Sequence, residues 1–242
     1  MVRRGCALLG LALAVTACSG GPVAQWVAPT AAAPSSAAPA TTPTAVPTST
    51  SPPVVAAFTV RRVTAADLPR SWRPGCPVAP AQLRRVTVPY AGFDGRSRRG
   101  DLVVHQRVAD EVGRTFVRLR DAGFPIRSIT LVDEFGGSDD ESMAADNTSA
   151  FNCRAVVGGS GGWSRHAYGT AIDINPRENP YVYGDGTVAP PEGRAYVDRS
   201  PYRQGMVVAG GAVDRAFAAI GWSWGGRFRS SKDYQHFSES GR

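Results

Sequence analysis

Residues 164–176 read SRHAYGTAIDINP, and residues 233–237 near the C-terminus read DYQHF. These two stretches hold two of the three histidines in a chain of 242 residues. Together they offer two imidazoles and one carboxylate, from His166, His236 and Asp173. A catalytic zinc ion takes three protein ligands of these kinds and keeps a fourth position for water. Asp233 lies just before His236 in the chain, so a short turn would bring its carboxylate beside that water.

Local patterning places these residues on a strand and the loop before it. The alternating, β-branched residues after Gly169 predict a strand over 168–174, in which Ala171 and Asp173 share one face. The small Ala171 leaves room for a metal, and His166 reaches the ion from the preceding loop. The alternative is that the three ligands are unrelated, or form a closed structural zinc site. Such a site usually has four protein ligands and recruits cysteine, and no fourth ligand is evident in the sequence.

The pattern S-x-H-x-x-G-x-A-x-D followed by D-x-x-H resembles the M15 family of zinc peptidases. This family contains D-alanyl-D-alanine carboxypeptidases and L-alanyl-D-glutamate endopeptidases. The phrases NTSAFNCR at 147–154 and GWSWGG at 221–226 resemble an exported branch of it, and the similarity covers roughly residues 70–240. The resemblance implies an α+β fold, a small antiparallel sheet flanked by helices, with one Zn²⁺ per chain in a cleft on the sheet. The implied substrates are the peptide stems of peptidoglycan.

The resemblance also implies roles for individual residues. Asp233, by its place in D-x-x-H, is the general base, and Ser164 orients either His166 or a substrate group. Related enzymes hold a substrate carboxylate or carbonyl with an arginine, but the usual S-G-Y-R phrase is absent here. Arg154 is the predicted replacement, ahead of Arg165. Carboxypeptidase and endopeptidase activity both remain open, and the alternative function is a wall-binding lipoprotein that has lost turnover.

Two tryptophans lie close together in GWSWGG. At least one is expected in the core. Trp224 stands next to two glycines, and we predict that it is the more exposed of the two and stacks on substrate along one wall of the cleft.

The N-terminus has the pattern of an export signal. Arg3 and Arg4 precede a short apolar run over 6–15, which is typical of a secretory leader. The phrase VTAC at 15–18 resembles a bacterial lipobox and implies cleavage before Cys18 and lipid attachment to it. We therefore predict a signal over 1–18 and an exported protein that is lipid-anchored at the outer face of the cytoplasmic membrane, in the cell envelope. Ordinary secretion is the alternative.

The next segment, 19–57, consists mainly of Pro, Ala, Thr, Ser and Val and has no charged residue. Such a composition cannot bury enough apolar surface to offset its ordering entropy, so we predict a disordered tether. The peptidase-like domain is then 58–242. Cys76 and Cys153 are the two cysteines of that domain, and outside the cytoplasm they are expected to form a disulfide. Two separate buried thiols are the alternative.

The net charge alone excludes few classes of binding partner. Lysine and arginine together number 27 against 20 acidic residues, which gives a net charge of +7. A basic exported protein is attracted to anionic surfaces such as wall polymers. The arginines are dispersed and no basic run alternates with aromatics, so nucleic acid is not a predicted partner. We expect a monomer.

Hydrophobic periodicity predicts the remaining elements. Strands are expected at 84–90, 102–104 and 126–132. Helices are expected from 108 to 119 and from 213 to 220. Loops are expected at 92–100, at 133–147 beside the cleft, and at 176–205 on the surface.

Overall fold

A computed structural model describes residues 57–156 and 161–241. The predicted signal over 1–18, the lipid attachment at Cys18 and nearly all of the predicted tether lie outside these described residues. None of the described helices combines the length and the hydrophobicity that a membrane span needs.

The first sheet is built on the predicted strand around Val86 and Val88. It contains β1 (Thr59–Arg62), β2 (Leu83–Ala91) and β3 (Ser97–His105), which are antiparallel and lie in that order. Val86 and Val88 are fully buried on one face, as alternation along a strand requires. This sheet forms one wall of the main hydrophobic core.

The predicted loop at 92–100 is wrong in its second half. Residues 97–100 belong to β3 and pair with 88–91. A tight turn makes this pairing possible: the Gly92 amide donates to the Arg96 carbonyl at 2.8 Å, and Gly95 has a φ of +75°. The basic residues there suggested a loop, but on an exposed hairpin their charges face water.

The predicted helix after β3 is confirmed as α1 (Ala109–Asp121). Val112, Phe116 and Leu119 are buried on one stripe, the spacing that places side chains on one face of a helix. Gly123, with a φ of +66°, follows its end. The second predicted helix is also confirmed, as α3 (Ala212–Ala218), and it packs against α1.

The segment from 126 to 148 contains less strand and more helix than its sequence indicated. Of the strand predicted at 126–132, only β4 (Ser128–Ile129) forms, and it pairs in parallel with β5 (Asn147–Thr148). Between them lies α2 (Asp139–Ala144), where we had expected a loop. Asp133 fixes the start of this segment, because its carboxylate accepts the backbone amides of Arg70 and Ser71 at 2.8 and 2.9 Å.

Two small sheets form the C-terminal half. The first contains β6 (Ala171–Asp173) and β9 (Ser223–Trp224) on either side of the central β11 (His236–Ser238). The second contains β7 (Tyr181–Val182), β8 (Val188–Ala189) and β10 (Lys232–Asp233), with β7 in the centre. All these pairs are antiparallel. Small antiparallel sheets with a few helices agree with the predicted α+β class.

The segment 176–205 is only partly the surface excursion that we expected. Asn179 is fully buried. Its Oδ1 accepts the Val207 amide at 2.6 Å, and its Nδ2 donates to the carbonyls of Ile174 and Gly205 at 3.0 and 2.9 Å. One amide side chain therefore ties the beginning and the end of this segment to β6.

A buried acid pair lies beside that amide. Glu178 is 1% exposed and Asp146 is fully buried. Burial, with a hydrogen bond to Asp146, raises the pKa of Glu178 to about 8. Arg127 lies 3.5 Å from the Asp146 carboxylate and opposes the rise. Glu178 is therefore protonated in the folded protein at neutral pH and ionised in the unfolded chain.

This difference predicts that Glu178→Gln stabilises the protein as the pH rises. In the wild type the contribution of Glu178 is fully present below its unfolded pKa of 4.5 and is lost as the pH rises toward about 8. Glutamine does not titrate, so it is neutral over this whole pH range and the variant does not lose this contribution. The melting temperature of the variant minus that of the wild type should increase from pH 5 to pH 8, as measured by thermal unfolding. The exposed Glu192→Gln is the control, and an equal gain there would contradict the prediction.

The predicted disulfide between Cys76 and Cys153 is confirmed. The two residues are 77 positions apart and their sulfurs are bonded. Cys153 is 1% exposed, and its amide donates to the Ser71 carbonyl at 2.9 Å. The bond thus joins the segment before β2 to the segment after β5 that contains Cys153.

Candidate active site

A cleft with a volume of about 900 Å³ opens over the two C-terminal sheets. Its walls come from α2, from the segments at 154–156 and 162–168, and from β7 and β10. The predicted site residues that line it are Arg154, Ser164, His166, Asp173, Asp233 and His236.

Strand pairing brings two of the predicted ligands together. His236 on β11 lies directly opposite Asp173 on β6. Directly opposed residues of an antiparallel pair project to the same face of the sheet. His236 Nδ1 is 3.0 Å from Asp173 Oδ1. The two residues are 63 positions apart in the chain, and it is the register between the two strands that brings them into contact.

His166 reaches the same point from a 3-10 helix (Arg165–Tyr168). Ser164 caps this helix, since its Oγ accepts the His166 amide at 3.3 Å. Gly169 ends it with a φ of +67°, and a Cβ there would lie 2.6 Å from the backbone nitrogen of His105. The turn is thus pressed against β3, and His166 Nε2 lies 3.1 Å from Asp173 Oδ2.

The three side chains fit a divalent metal ion. Their ligand atoms all lie within 4.8 Å of one another, and the two facing imidazole nitrogens are 3.3 Å apart. In a tetrahedral zinc site with bonds of about 2.0–2.2 Å, neighbouring ligand atoms are roughly 3.3–3.5 Å apart. His166 Nδ1 donates to the Ala150 carbonyl at 2.6 Å. This bond leaves the Nε2 lone pair facing the cluster, as metal-binding histidines are usually held.

The ionisable groups of the cluster shift one another's pKa values. Burial alone would raise the pKa of Asp173, but the two histidines it faces lower its pKa well below the usual range. Burial alone would lower the pKa of His236, but its hydrogen bond with Asp173 raises it overall. Asp173 is therefore an anion, the form that a metal ion binds.

Asp233 faces the same cluster from β10. Its backbone pairs with Tyr181 on β7, and its Oδ1 is buried without a hydrogen-bond partner. Burial raises the pKa of Asp233 to about 7, with the negative charge of Asp173 adding to the rise and His236 opposing it. A carboxyl group in this range can both accept and donate a proton near neutral pH.

Arg154 and Ser164 have different places in the cleft. Arg154 lines it and makes an ion pair with Asp139 at 2.9 Å. Ser164 is buried and positions His166 through the cap already described. Arg165, the second choice for the substrate arginine, is exposed at the rim and lies over the ring of Tyr168.

The prediction that Trp224 stacks on substrate is wrong. Trp224 is only 6% exposed and belongs to the main core, where its ring is stacked on Phe237. Its Nε1 donates to the Tyr234 carbonyl at 2.8 Å. The neighbouring Gly226 does not expose the ring but packs on it, since a Cβ there would lie 2.4 Å from the indole.

The cleft contains residues that our sequence reasoning missed. Tyr181 and Tyr183 form an aromatic pair with ring centroids 4.1 Å apart, and both line the cleft. Their spacing of two, which puts side chains on one face of a strand, was the available signal. Gln235 also lines the cleft, and its Oε1 is buried without a partner.

Comparison with known proteins finds one family model that matches part of the chain. Residues 158–239, about a third of the chain, match the family model of D-alanyl-D-alanine carboxypeptidases in the M15 peptidases. The matched range contains His166, Asp173, Asp233 and His236, whereas Arg154 precedes it. No curated protein and no solved structure matches the chain significantly.

Proposed function

We propose that this chain, an M15-family peptidase by the match of its residues 158–239, hydrolyses amide bonds in the peptide stems of peptidoglycan. The observation that carries the proposal is the convergence of His166, Asp173 and His236 on one point in the cleft, with Asp233 beside them. The family match supports a hydrolase of the peptidase type. The substrate and the use of zinc are our inference from the donor set and the motif.

The two histidines and Asp173 would hold the ion, and Zn²⁺ bound there would supply Lewis-acid chemistry that activates water and polarises the scissile carbonyl. Asp233 takes a proton from the attacking water as the new carbon–oxygen bond forms. It returns that proton to the nitrogen as the carbon–nitrogen bond breaks, which leaves a carboxylic acid and an amine. Ser164 contributes indirectly, because it fixes the turn that carries His166.

Unpaired polar atoms in the cleft support a polar substrate. Among the described residues, buried side-chain atoms without a hydrogen-bond partner include Arg154 Nε, Asp233 Oδ1, Gln235 Oε1 and His236 Nε2. All four belong to residues that line the cleft. Buried polar groups normally have partners, and a peptide backbone offers both carbonyl oxygens and amide hydrogens to such atoms.

The test is digestion of purified peptidoglycan by the zinc-loaded protein, with the products identified by mass spectrometry. Loss of one alanine from the stem would identify a D-alanyl-D-alanine carboxypeptidase. Release of stems with a new D-glutamate amine would identify an L-alanyl-D-glutamate endopeptidase. Unchanged stems, together with tight binding to the wall material, would instead favour the non-catalytic wall-binding lipoprotein. Asp233 speaks against that alternative, since binding alone needs no general base.

We further propose that the protein works as a lipid-anchored monomer at the outer face of the cytoplasmic membrane. The leader pattern over 1–18 supports export, and the tether over 19–57 would give the domain reach into the wall. Cys18→Ala should move the protein from the membrane fraction to the soluble extracellular fraction, measured by fractionation and immunoblotting. An unchanged membrane pool would refute the lipid anchor, whereas Cys6→Ala, in the leader, is the matched control.

A further inference from the structure

An ion pair on the wall of the cleft has no part in the chemistry just described. Arg154 Nη2 lies 2.9 Å from Asp139 Oδ2, and the two side chains are 23% and 17% exposed. Both residues line the cleft, and both precede the range that matches the family model. The pair is thus a property of this chain that the family match does not assign.

The backbone holds both partners close to the metal cluster. The Arg154 carbonyl accepts the Ser164 amide at 3.0 Å, at the start of the turn that carries His166. Asp139 opens α2, which Ser138 caps by accepting the Glu141 amide at 3.2 Å. The ion pair therefore bridges α2 and the segment that leads to the motif, and it does so across a wall of the substrate cleft.

The pairing changes what Arg154 can recognise. A free guanidinium binds a carboxylate through two parallel hydrogen bonds and by charge. Here one nitrogen is committed to Asp139, and the carboxylate of Asp139 cancels the charge. The other N–H groups of Arg154 remain as donors, and among them the buried Nε has no partner. A neutral carbonyl oxygen can accept a hydrogen bond from such a donor. A substrate carboxylate would instead lie near the carboxylate of Asp139 on the same arginine, and the two negative charges would repel each other.

We propose that Asp139 sets the substrate preference of this cleft by neutralising the charge of Arg154. The cleft then prefers peptides whose chain continues as a neutral amide after the residue that follows the scissile bond. Peptides that end at that residue in a free carboxylate are disfavoured. This inference rests on the proposed function and deepens it, since it assigns the site to internal amide bonds. Asp139 is a specificity-determining residue, because it acts on substrate through Arg154.

The test uses two peptides that differ in one group. One is acetylated L-lysyl-D-alanyl-D-alanine with its free carboxylate, and the other is the same peptide as its C-terminal carboxamide. Asp139→Asn removes the charge that cancels Arg154. The ratio of kcat/KM for the carboxylate peptide to that for the carboxamide should rise about tenfold or more, the scale of a hydrogen-bonded charge interaction. Adding Arg154→Gln to Asp139→Asn should abolish the gain.

Asp140→Asn is the matched control. Asp140 is the next residue, lines the same cleft and is exposed, so its replacement removes an equal charge without freeing Arg154. It should change the ratio of kcat/KM for the carboxylate peptide to that for the carboxamide by less than about twofold, because an exposed charge contributes little. An equal rise in this variant, an unchanged ratio in Asp139→Asn, or a gain that survives the loss of Arg154 would each overturn the proposal.

A binding measurement distinguishes failure of this inference from failure of the proposed function. The same two peptides are titrated by calorimetry into zinc-loaded protein carrying Asp233→Asn, with and without Asp139→Asn. If the wild type cleaves nothing, the proposed function fails, but the ratio of dissociation constants still decides the role of Asp139. Thermal unfolding checks that Asp139→Asn is folded, and Asp139→Ser provides a second variant with the charge removed.

Discussion

Replacing Asp233 with asparagine is expected to lower kcat for stem-peptide hydrolysis by about 10²–10⁴-fold, the usual contribution of a positioned general base. Asparagine has nearly the same shape but cannot take a proton from water or return one to the leaving amine. The metal content should stay at the wild-type value, because Asp233 is not one of the three clustered ligands. Rates are measured by chromatography of the products, and metal by elemental analysis.

The control for this change is Asp110→Asn on the exposed side of α1, which alters net charge equally at a site outside the cleft. Its kcat should match that of the wild type. Retention of full activity by Asp233→Asn would remove Asp233 from the mechanism. A simultaneous loss of metal and activity would instead assign it to metal binding.

His166→Ala is expected to lose both bound metal and activity. The change leaves two ligands, and it also leaves the buried carboxylate of Asp173 without its contact at 3.1 Å. Altering a residue that merely orients a metal ligand costs about 10–100-fold in affinity, so removal of a ligand should cost more. Equilibrium dialysis against zinc should show about one ion per wild-type chain and a much weaker site in the variant.

The third histidine offers the control for that experiment. His105 ends β3, and its Nδ1 accepts the Arg107 amide at 3.3 Å, so it takes no part in the cluster. His105→Ala should bind zinc as the wild type does. Full zinc binding by His166→Ala, or equal losses in both variants, would contradict the assignment of the site.

Local sequence was enough to predict the residues of the cluster but not their arrangement. The strand that carries Ala171 and Asp173 and the helical stripe from Val112 to Leu119 depend on short-range geometry, and both are present. The strand predicted over 168–174 is shorter than expected, because Tyr168 belongs to the preceding 3-10 helix and only Ala171–Asp173 is a strand. The contact of Asp173 with His236 depends on strand register, which no local pattern specifies.

The errors have the same origin. The sequence predicts Trp224 as the more exposed of the two tryptophans because it adjoins two glycines, yet those glycines allow close packing. A Cβ at Gly225 would lie 2.6 Å from the carbonyl oxygen of Asp233, a neighbour that only the fold supplies. The wall formed by Tyr181 and Tyr183 was missed for a similar reason, since β7 meets β10 only after a separation of about fifty residues.

The bond between Cys76 and Cys153 has a consequence for resistance to proteolysis. The polypeptide between these cysteines contains β2, β3, α1, β4, α2 and β5. A foreign protease that cuts once within this interval opens the backbone but releases no fragment, because the two sides stay covalently joined. The pieces can then re-form their contacts as an intramolecular process, at a local concentration that dilution does not lower.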